Sequence, residues 1–202
     1  MGWVALGCYA VYLALAFGLR SLIQLRRTGS TGFKGIAGAP GSLEWSAGVL
    51  FGAALLVGAL APVLEVTGAM DPLDVLDGPG AHALGLALFG LGLAGTLYAQ
   101  LAMGESWRVG VDESERTELV TQGPFSLVRN PIFSAMIPTS VGLTLMVPNA
   151  VALAGLAALV LALQIQVRLV EEPYLRRVHG EVYERYAARV GRFAPGMGRI
   201  GT

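Results

Sequence analysis

Five long apolar stretches, separated by short polar segments, constrain the fold of this chain more than any other feature of its sequence. They cover residues 3–19, 43–66, 82–103, 131–147 and 150–170, and the first continues beyond Arg20 to residue 25. A helix rises about 1.5 Å per residue, so about 20 apolar residues cross the roughly 30 Å hydrocarbon core of a membrane. The sequence therefore predicts an all-α integral membrane protein. We expect one domain, residues 1–202, with five transmembrane helices, a cytoplasmic loop and an amphipathic C-terminal helix.

The composition agrees with this prediction. Hydrophobic residues make up 54% of the chain and charged residues only 14%, whereas a soluble domain carries more charge. The formal net charge is zero, so bulk charge does not suggest a nucleic acid partner. A single cysteine, Cys8, excludes an intramolecular disulfide, and the wide separation of His82 and His179 argues against a metal site.

The positive charges predict how the helices are oriented. If five helices cross the membrane, all 14 Lys and Arg residues fall in segments on one side. Because positive residues are retained in the cytoplasm, we expect a protein of the cytoplasmic membrane with its N-terminus outside and its C-terminus inside. No basic residue precedes the first apolar stretch, which favours a membrane helix over a cleaved signal peptide.

A bend before the fourth apolar stretch is the candidate site. Gly123-Pro124 predicts a turn, and Asn130-Pro131 ends any preceding helix while placing Pro131 at the first position of the next. Such a bend exposes backbone donors and acceptors, which a membrane-embedded segment keeps only where it lines a cavity. The same orientation places this bend and the charged tail on the cytoplasmic side.

Charged residues are expected to converge beside this bend. Arg129 immediately precedes the fourth helix, and Arg168, Glu171 and Glu172 lie at the end of the fifth. Because these two helices form a hairpin, Asn130 and Arg168 are expected at similar depth, in one shared pocket. The alternative is an interfacial salt-bridge cluster that only marks the end of a span, since adjacent carboxylates near lipid need a cation close by.

The C-terminal segment carries its apolar residues at helical spacing. They recur every three or four positions and are Leu175, Val178, Val182, Tyr186 and Val190. This spacing predicts a tail helix with one apolar stripe.

Two apolar stretches are rich in glycine. In the second, Gly48 and Gly52 form a small-xxx-small pair that Gly58 continues, which predicts close approach of another helix. In the third apolar stretch, the glycines favour close helix packing. The alternative is that Gly90 and Gly92 leave room for a cofactor.

Several motifs in residues 119–195 together resemble a known family. In order they are Gly123-Pro124-Phe125, Arg129-Asn130-Pro131-Ile132-Phe133, Glu171-Glu172, Gly180-x-x-Tyr183-x-x-Tyr186, and Val190-Gly-Arg-Phe-Ala-Pro195. This arrangement is similar to that of the isoprenylcysteine carboxyl methyltransferases and phospholipid methyltransferases, membrane enzymes that use S-adenosyl-L-methionine. The resemblance covers about the last two fifths of the chain.

The resemblance implies a cofactor pocket between the last two membrane helices and the tail. Leu119 and Val120 would line its adenosine side, and the Glu171-Glu172 pair would contact the amino-acid end of the cofactor. Arg168 lies near an arginine that holds the reacting group of the substrate in the family. The expected catalytic residues are Arg129, Arg168 and Glu172. The expected cofactor-binding residues are Leu119, Val120, Gly123, Phe125, Asn130, Pro131, Phe133, Glu171 and Glu172.

The sequence departs from the family pattern at three of these positions. Asn130 stands in the place of a histidine, which removes a titratable group. Phe125 and Phe133 stand where tyrosines are usual, which removes two hydroxyls. Methyl transfer remains compatible with these changes, because the protein mainly aligns donor and acceptor at about 3 to 3.5 Å and excludes water.

The expected function is methyl transfer to a lipophilic acceptor from the membrane, with a carboxylate or thiol favoured if Arg168 faces the pocket. Three alternatives remain open at this point: a phospholipid N-methyltransferase, an enzyme similar to the sterol reductases that uses NADPH, and a non-catalytic membrane scaffold. The sequence does not identify the acceptor or the oligomeric state.

Overall fold

The computed structural model describes residues 1–33, 35–36, 38–107 and 119–201. Within these ranges the chain folds into helices joined by turns, without a β-sheet. The helices are α1 (Gly2–Thr28), α2 (Leu43–Val66), α3 (Pro79–Met103), α4 (Pro131–Met146), α5 (Ala150–His179) and α6 (Glu181–Arg189). Short 3₁₀ turns follow α3 at Gly104–Ser106 and precede α4 at Gly123–Ser126.

The predicted all-helical membrane fold is confirmed. Helices α1, α2, α3 and α5 are long and apolar enough to cross a membrane. Helix α4 is apolar but has only 16 residues, or about 24 Å of length. The described part of the chain therefore has four helices of full spanning length and a shorter one.

Local sequence determines where several helices begin. The Ser42 hydroxyl accepts a hydrogen bond from the Trp45 backbone N–H (3.2 Å), and Asn149 Oδ1 accepts one from the Ala152 N–H (2.9 Å). Both are N-caps that satisfy a donor of the first helical turn. Pro131 occupies the first turn of α4 as predicted, where its missing N–H is harmless.

We call the end of the bundle that contains Met1 and Asn149 the N-terminal end, and the opposite end the tail end. At the N-terminal end the Met1 amino group lies 3.4 Å from Glu65, and the Leu73 N–H donates to the Pro148 carbonyl (2.7 Å). The described arginines lie in segments at the tail end, as the charge distribution predicted. Three of the 14 Lys and Arg residues lie outside the described residues: Lys34, Arg108 and Arg116.

Glycines bring the helices together near the N-terminal end. A Cβ at Gly142 of α4 would lie 2.5 Å from the carbonyl oxygen of Gly85 in α3, and one at Gly92 would lie 2.6 Å from a backbone nitrogen of α4. A Cβ at Gly155 of α5 would lie 3.2 Å from the backbone nitrogen of Gly58 in α2. Helix packing is therefore the correct interpretation for these glycines.

Two helices contain a wide π-helical turn. It covers Ala14–Leu19 in α1 and Gln166–Glu171 in α5. Both turns lie in the tail-end half of the bundle. Turns of this kind shift the angular positions of the side chains that follow, and they are frequent at functional sites.

The tail is helical, but it is not the single continuous helix that was predicted. Helix α5 continues to His179, and Gly180, with φ of 52°, separates it from α6. After this break Tyr183 and Tyr186 are buried, whereas Val182 is 56% exposed. The apolar stripe predicted through Val182 is therefore wrong at that position, because the stripe assumed an uninterrupted helix.

Candidate active site

A cavity of about 520 Å³ lies in the tail-end half of the bundle. Residues from α1 to α6 line it, and most of its wall is apolar or aromatic. Its polar groups include Arg129 and Asn130 from the bend and Glu171 and Glu172 from α5. Its volume is in the range of small-molecule sites, about 300 to 1,000 Å³.

The bend is fixed by contacts with the tail. Gly123 has a φ of 59° and opens the 3₁₀ turn, and the Phe125 carbonyl accepts a hydrogen bond from the Tyr186 hydroxyl (2.5 Å). The Arg129 N–H donates to the Gly191 carbonyl at 2.8 Å. The tail thus satisfies backbone groups that the bend would otherwise leave unpaired.

A buried ionic cluster joins the bend, α5 and the tail. Arg129 Nη2 donates to Glu172 Oε1 at 2.6 Å, and Arg192 donates from Nε to Oε1 (2.6 Å) and from Nη2 to Oε2 (2.9 Å). The side chains of Arg129 and Glu172 are only 2% and 7% exposed. Buried charges persist only with such partners, so removing one partner is costly.

Arg129 also binds the backbone of the tail. Its Nη1 donates to the carbonyls of Ala187 (2.9 Å) and Val190 (2.6 Å), and its Nη2 donates to that of Gly198 (3.1 Å). This arginine therefore holds the tail closed over the cavity in addition to neutralising Glu172.

Tyr183 and Arg192 belong to the site, lie outside the membrane-spanning helices and have shifted pKa values. Burial, together with the nearby Glu172 carboxylate, raises the pKa of Tyr183 to about 12. The hydrogen bond to Glu172 raises the pKa of the Arg192 guanidinium. At neutral pH the tyrosine is therefore neutral and the arginine cationic, and neither serves as a general base.

A family model described as phospholipid methyltransferase matches residues 81–182, just over half of the chain. The chain belongs to the phospholipid methyltransferase family. This membership implies a membrane methyltransferase that uses S-adenosylmethionine as methyl donor. The search of curated proteins found no match.

The region matched by the phospholipid methyltransferase model runs from α3 to the start of α6. It contains Arg129, Glu171 and Glu172 but ends before Arg192. The tail that completes the ionic cluster therefore lies beyond the part of the chain that the family model covers.

In this member of the phospholipid methyltransferase family, the structure brings most of the predicted site residues together. The cavity is lined by Leu119, Val120, Phe125, Arg129, Asn130, Pro131, Phe133, Glu171 and Glu172. Gly123 is not among the lining residues, and its positive φ shapes the turn instead. Asn130 additionally donates from its side chain to the Arg192 carbonyl at 3.1 Å.

The structure does not bring Arg168 to the cavity. Its side chain is exposed, and its Nε donates to Gln164 Oε1 at 2.8 Å. The π-helical turn places Gln166, Val170 and Glu171 on the cavity side and leaves Arg168 on the outer face. The expectation that Arg168 shares a pocket with Asn130 is therefore wrong, because equal depth along a hairpin does not fix which way a side chain faces.

Two features of the site were missed at the sequence level. Arg192 belongs to the Val190–Pro195 motif, but nothing in the sequence alone pairs it with Glu172. Gly48 and Gly52 line the cavity, whereas their spacing predicted helix packing. A small-residue pair has the same spacing in both situations, so only the position of the neighbouring helices decides between them.

Proposed function

We propose that this protein transfers a methyl group from S-adenosylmethionine to a lipophilic acceptor that enters from the membrane. The observation that supports this proposal is one cavity with two contrasting ends. Carboxylates and a buried arginine cluster lie at the tail end, and apolar and aromatic side chains continue toward the middle of the bundle. A charged cofactor and an apolar acceptor would both find complementary surroundings there.

The chemistry of the lining groups fits the cofactor. Glu171 and Glu172 would hold its cationic amino-acid end, and Leu119, Val120 and Phe125 would pack against the adenosine. Aromatic rings also attract a cation over their faces, and Tyr174 and others line the same wall. When bound, S-adenosylmethionine supplies an electrophilic methyl group on a positively charged sulfur.

The protein's own contribution would be alignment and exclusion of water. Arg129 and the tail carbonyls it binds keep the cavity closed on the tail side, and the apolar walls keep the reacting groups dry. Placing two reactants at about 3 to 3.5 Å in a dry site accounts for much of the rate enhancement expected of such an enzyme. A thiolate or carboxylate acceptor would need no general base.

A second candidate acceptor is the amine of a phospholipid. The anionic acceptor was favoured because Arg168 was expected in the pocket, and this support is lost with Arg168 on the outer face. Glu44 of α2 lines the cavity together with Glu171. Two carboxylates would attract a protonated amine, and one of them would accept its proton before transfer.

We also propose that the tail end of the bundle, which holds the charged end of the site, faces the cytoplasm. The proposal is supported by the arginines of the tail-end segments, since positive residues are retained on that side. Accessibility of cysteines introduced at Leu73 and at Met197 to an impermeant thiol reagent, in intact cells carrying a Cys8→Ala variant, would test it. Labelling at position 73 alone is the expected result, and labelling at position 197 alone would reverse the orientation.

Binding measurements test the proposed activity. Purified protein in detergent should bind S-adenosylhomocysteine by isothermal titration calorimetry and should not bind NADPH. Incubation with a labelled methyl donor and a total lipid extract should then place label in the lipid fraction. Binding of NADPH alone would favour the reductase alternative, and binding of neither nucleotide would favour the scaffold.

A further inference from the structure

We propose that Arg192 is a positioning residue, which holds the Glu172 carboxylate in the orientation that receives the ammonium group of the cofactor's amino-acid end. This inference rests on the proposed function, because it concerns how the same cavity binds S-adenosylmethionine. It involves a residue that lies beyond the region matched by the family model.

The contact between Arg192 and Glu172 fixes the plane of the carboxylate. Arg192 donates from Nε to Oε1 at 2.6 Å and from Nη2 to Oε2 at 2.9 Å. A guanidinium that binds both carboxylate oxygens in this way restricts rotation of the carboxylate, which a single contact does not. Arg129 alone reaches only Oε1 and would leave the carboxylate free to turn.

The same contacts leave room for a cation on one oxygen. Oε1 accepts hydrogen bonds from both arginines, and Oε2 accepts one from Arg192. Each carboxylate oxygen has about two acceptor sites, so Oε2 keeps capacity for a further donor. Glu172 lines the cavity, and a ligand ammonium is the donor type that this position favours.

The charge of the cluster suits an amino acid. Two guanidinium groups and one carboxylate leave one net positive charge beside the cavity. Arg129 lines the cavity, and its buried Nε has no hydrogen-bond partner in the described part of the chain. The ammonium of an amino acid complements Glu172, and its carboxylate complements the excess positive charge.

Arg192 acts from outside the cavity, through Glu172. It does not appear among the lining residues, and its backbone is held by a hydrogen bond from its N–H to the Met197 carbonyl (2.7 Å). Its own carbonyl accepts from the Asn130 N–H and side chain, each at 3.1 Å. The tail turn and the bend thus fix the position from which the guanidinium reaches Glu172.

The test compares two ligands that differ in the amino-acid arm, whose ammonium group Glu172 would bind. S-adenosylhomocysteine carries the amino-acid arm, and 5′-methylthioadenosine lacks it. We expect Arg192→Gln to weaken S-adenosylhomocysteine binding by about tenfold or more, the value of a lost hydrogen bond to a charged group. Methylthioadenosine affinity should change less than about twofold. This corresponds to a small change in binding free energy, since a tenfold change in affinity corresponds to about 1.4 kcal/mol.

Three further variants complete the experiment. Arg192→Lys keeps the charge but not the two-pronged geometry, so its loss should be intermediate. Arg199→Gln removes an exposed arginine of the same tail and should leave both affinities unchanged. In a Glu172→Gln background, Arg192→Gln should not alter the ratio of the two affinities any further.

The outcomes separate this inference from the proposed function. Equal weakening of both ligands by Arg192→Gln, or no weakening of either, would overturn the positioning role while wild-type binding still supports the methyltransferase. Absence of S-adenosylhomocysteine binding to the wild type would overturn both. Circular dichroism of each variant confirms that a changed affinity comes from a folded protein.

Discussion

The two ends of the helix bundle are built on opposite principles, although the same helices form both. Near the N-terminal end, glycines bring α3 close to α4 and α2 close to α5, so that backbones touch. Toward the tail end the helices stand apart around a cavity of about 520 Å³. Helix α2 shows the difference along its own length, because Gly58 packs against Gly155 whereas Gly48 and Gly52 face the cavity.

The contrast shows how a small membrane protein can combine rigidity with a binding site. Close backbone contact at one end holds the helices together by van der Waals packing, which replaces the hydrophobic drive that is absent in lipid. At the other end, charged and polar groups of the bend and tail hold the open half in shape. Each end should therefore respond to a different kind of substitution.

The largest effect is expected from breaking the tail end at Arg129. The variant Arg129→Ala leaves three tail carbonyls without their donor and weakens the neutralisation of Glu172, so we expect a loss of about 3 to 5 kcal/mol in stability together with loss of S-adenosylhomocysteine binding. Thermal unfolding in detergent and calorimetry measure both. The matched control Arg176→Ala, at an exposed arginine of α5, should behave as the wild type; a normal melting temperature for Arg129→Ala would contradict the structural role.

A smaller effect is expected from breaking the N-terminal end at Gly142. A methyl group there meets backbone atoms of α3 at 2.5 and 2.6 Å, and overpacking of this kind costs about 1 to 3 kcal/mol. The control is Gly90→Ala, because a Cβ at Gly90 meets nothing within 4 Å and alanine is the better helix former. Equal melting temperatures for the two variants would show that close packing is not what holds this end.

The comparison is sharpened by Gly52, a glycine whose substitution should change function but not stability. A Cβ at Gly52 meets nothing within 4 Å, and the residue lines the cavity. Gly52→Leu should therefore leave unfolding and S-adenosylhomocysteine affinity unchanged while raising the KM for a lipophilic acceptor severalfold. An unchanged KM would place the acceptor in another part of the cavity.

The smallest effect is expected at Arg168. Because this side chain is exposed and contacts Gln164, Arg168→Ala should change stability by less than about 0.5 kcal/mol and leave cofactor binding and turnover unaltered. A large fall in turnover with unchanged binding would restore the catalytic role that its place in the sequence suggested.

Hydropathy, turn chemistry and charge were sufficient to predict the helices and the meeting of the bend with Glu172. These signals are local, or they depend only on which end of a helix a residue occupies. The direction in which a side chain faces was not predictable, since a π-helical turn shifts the angular position of Arg168 relative to Glu171. Contacts between residues on either side of a helix break were not predictable either. Gly180 ends α5 after Glu172, and Arg192 follows α6.

The length of α4 has a consequence for how a lipid would reach the site. With 16 residues it is about 6 Å shorter than the hydrocarbon core is thick, and each of its residues is buried or half-buried, so neighbouring helices cover much of its surface. Its hairpin partner α5 has 30 residues and ends at His179, so the bend before α4 contacts α5 at Glu172, inside the helix and not at its end. Under the proposed function, the charged end of the cavity would lie below the end of α5, and an amphiphile would reach it from within its own leaflet while its acyl tails stay in the hydrocarbon.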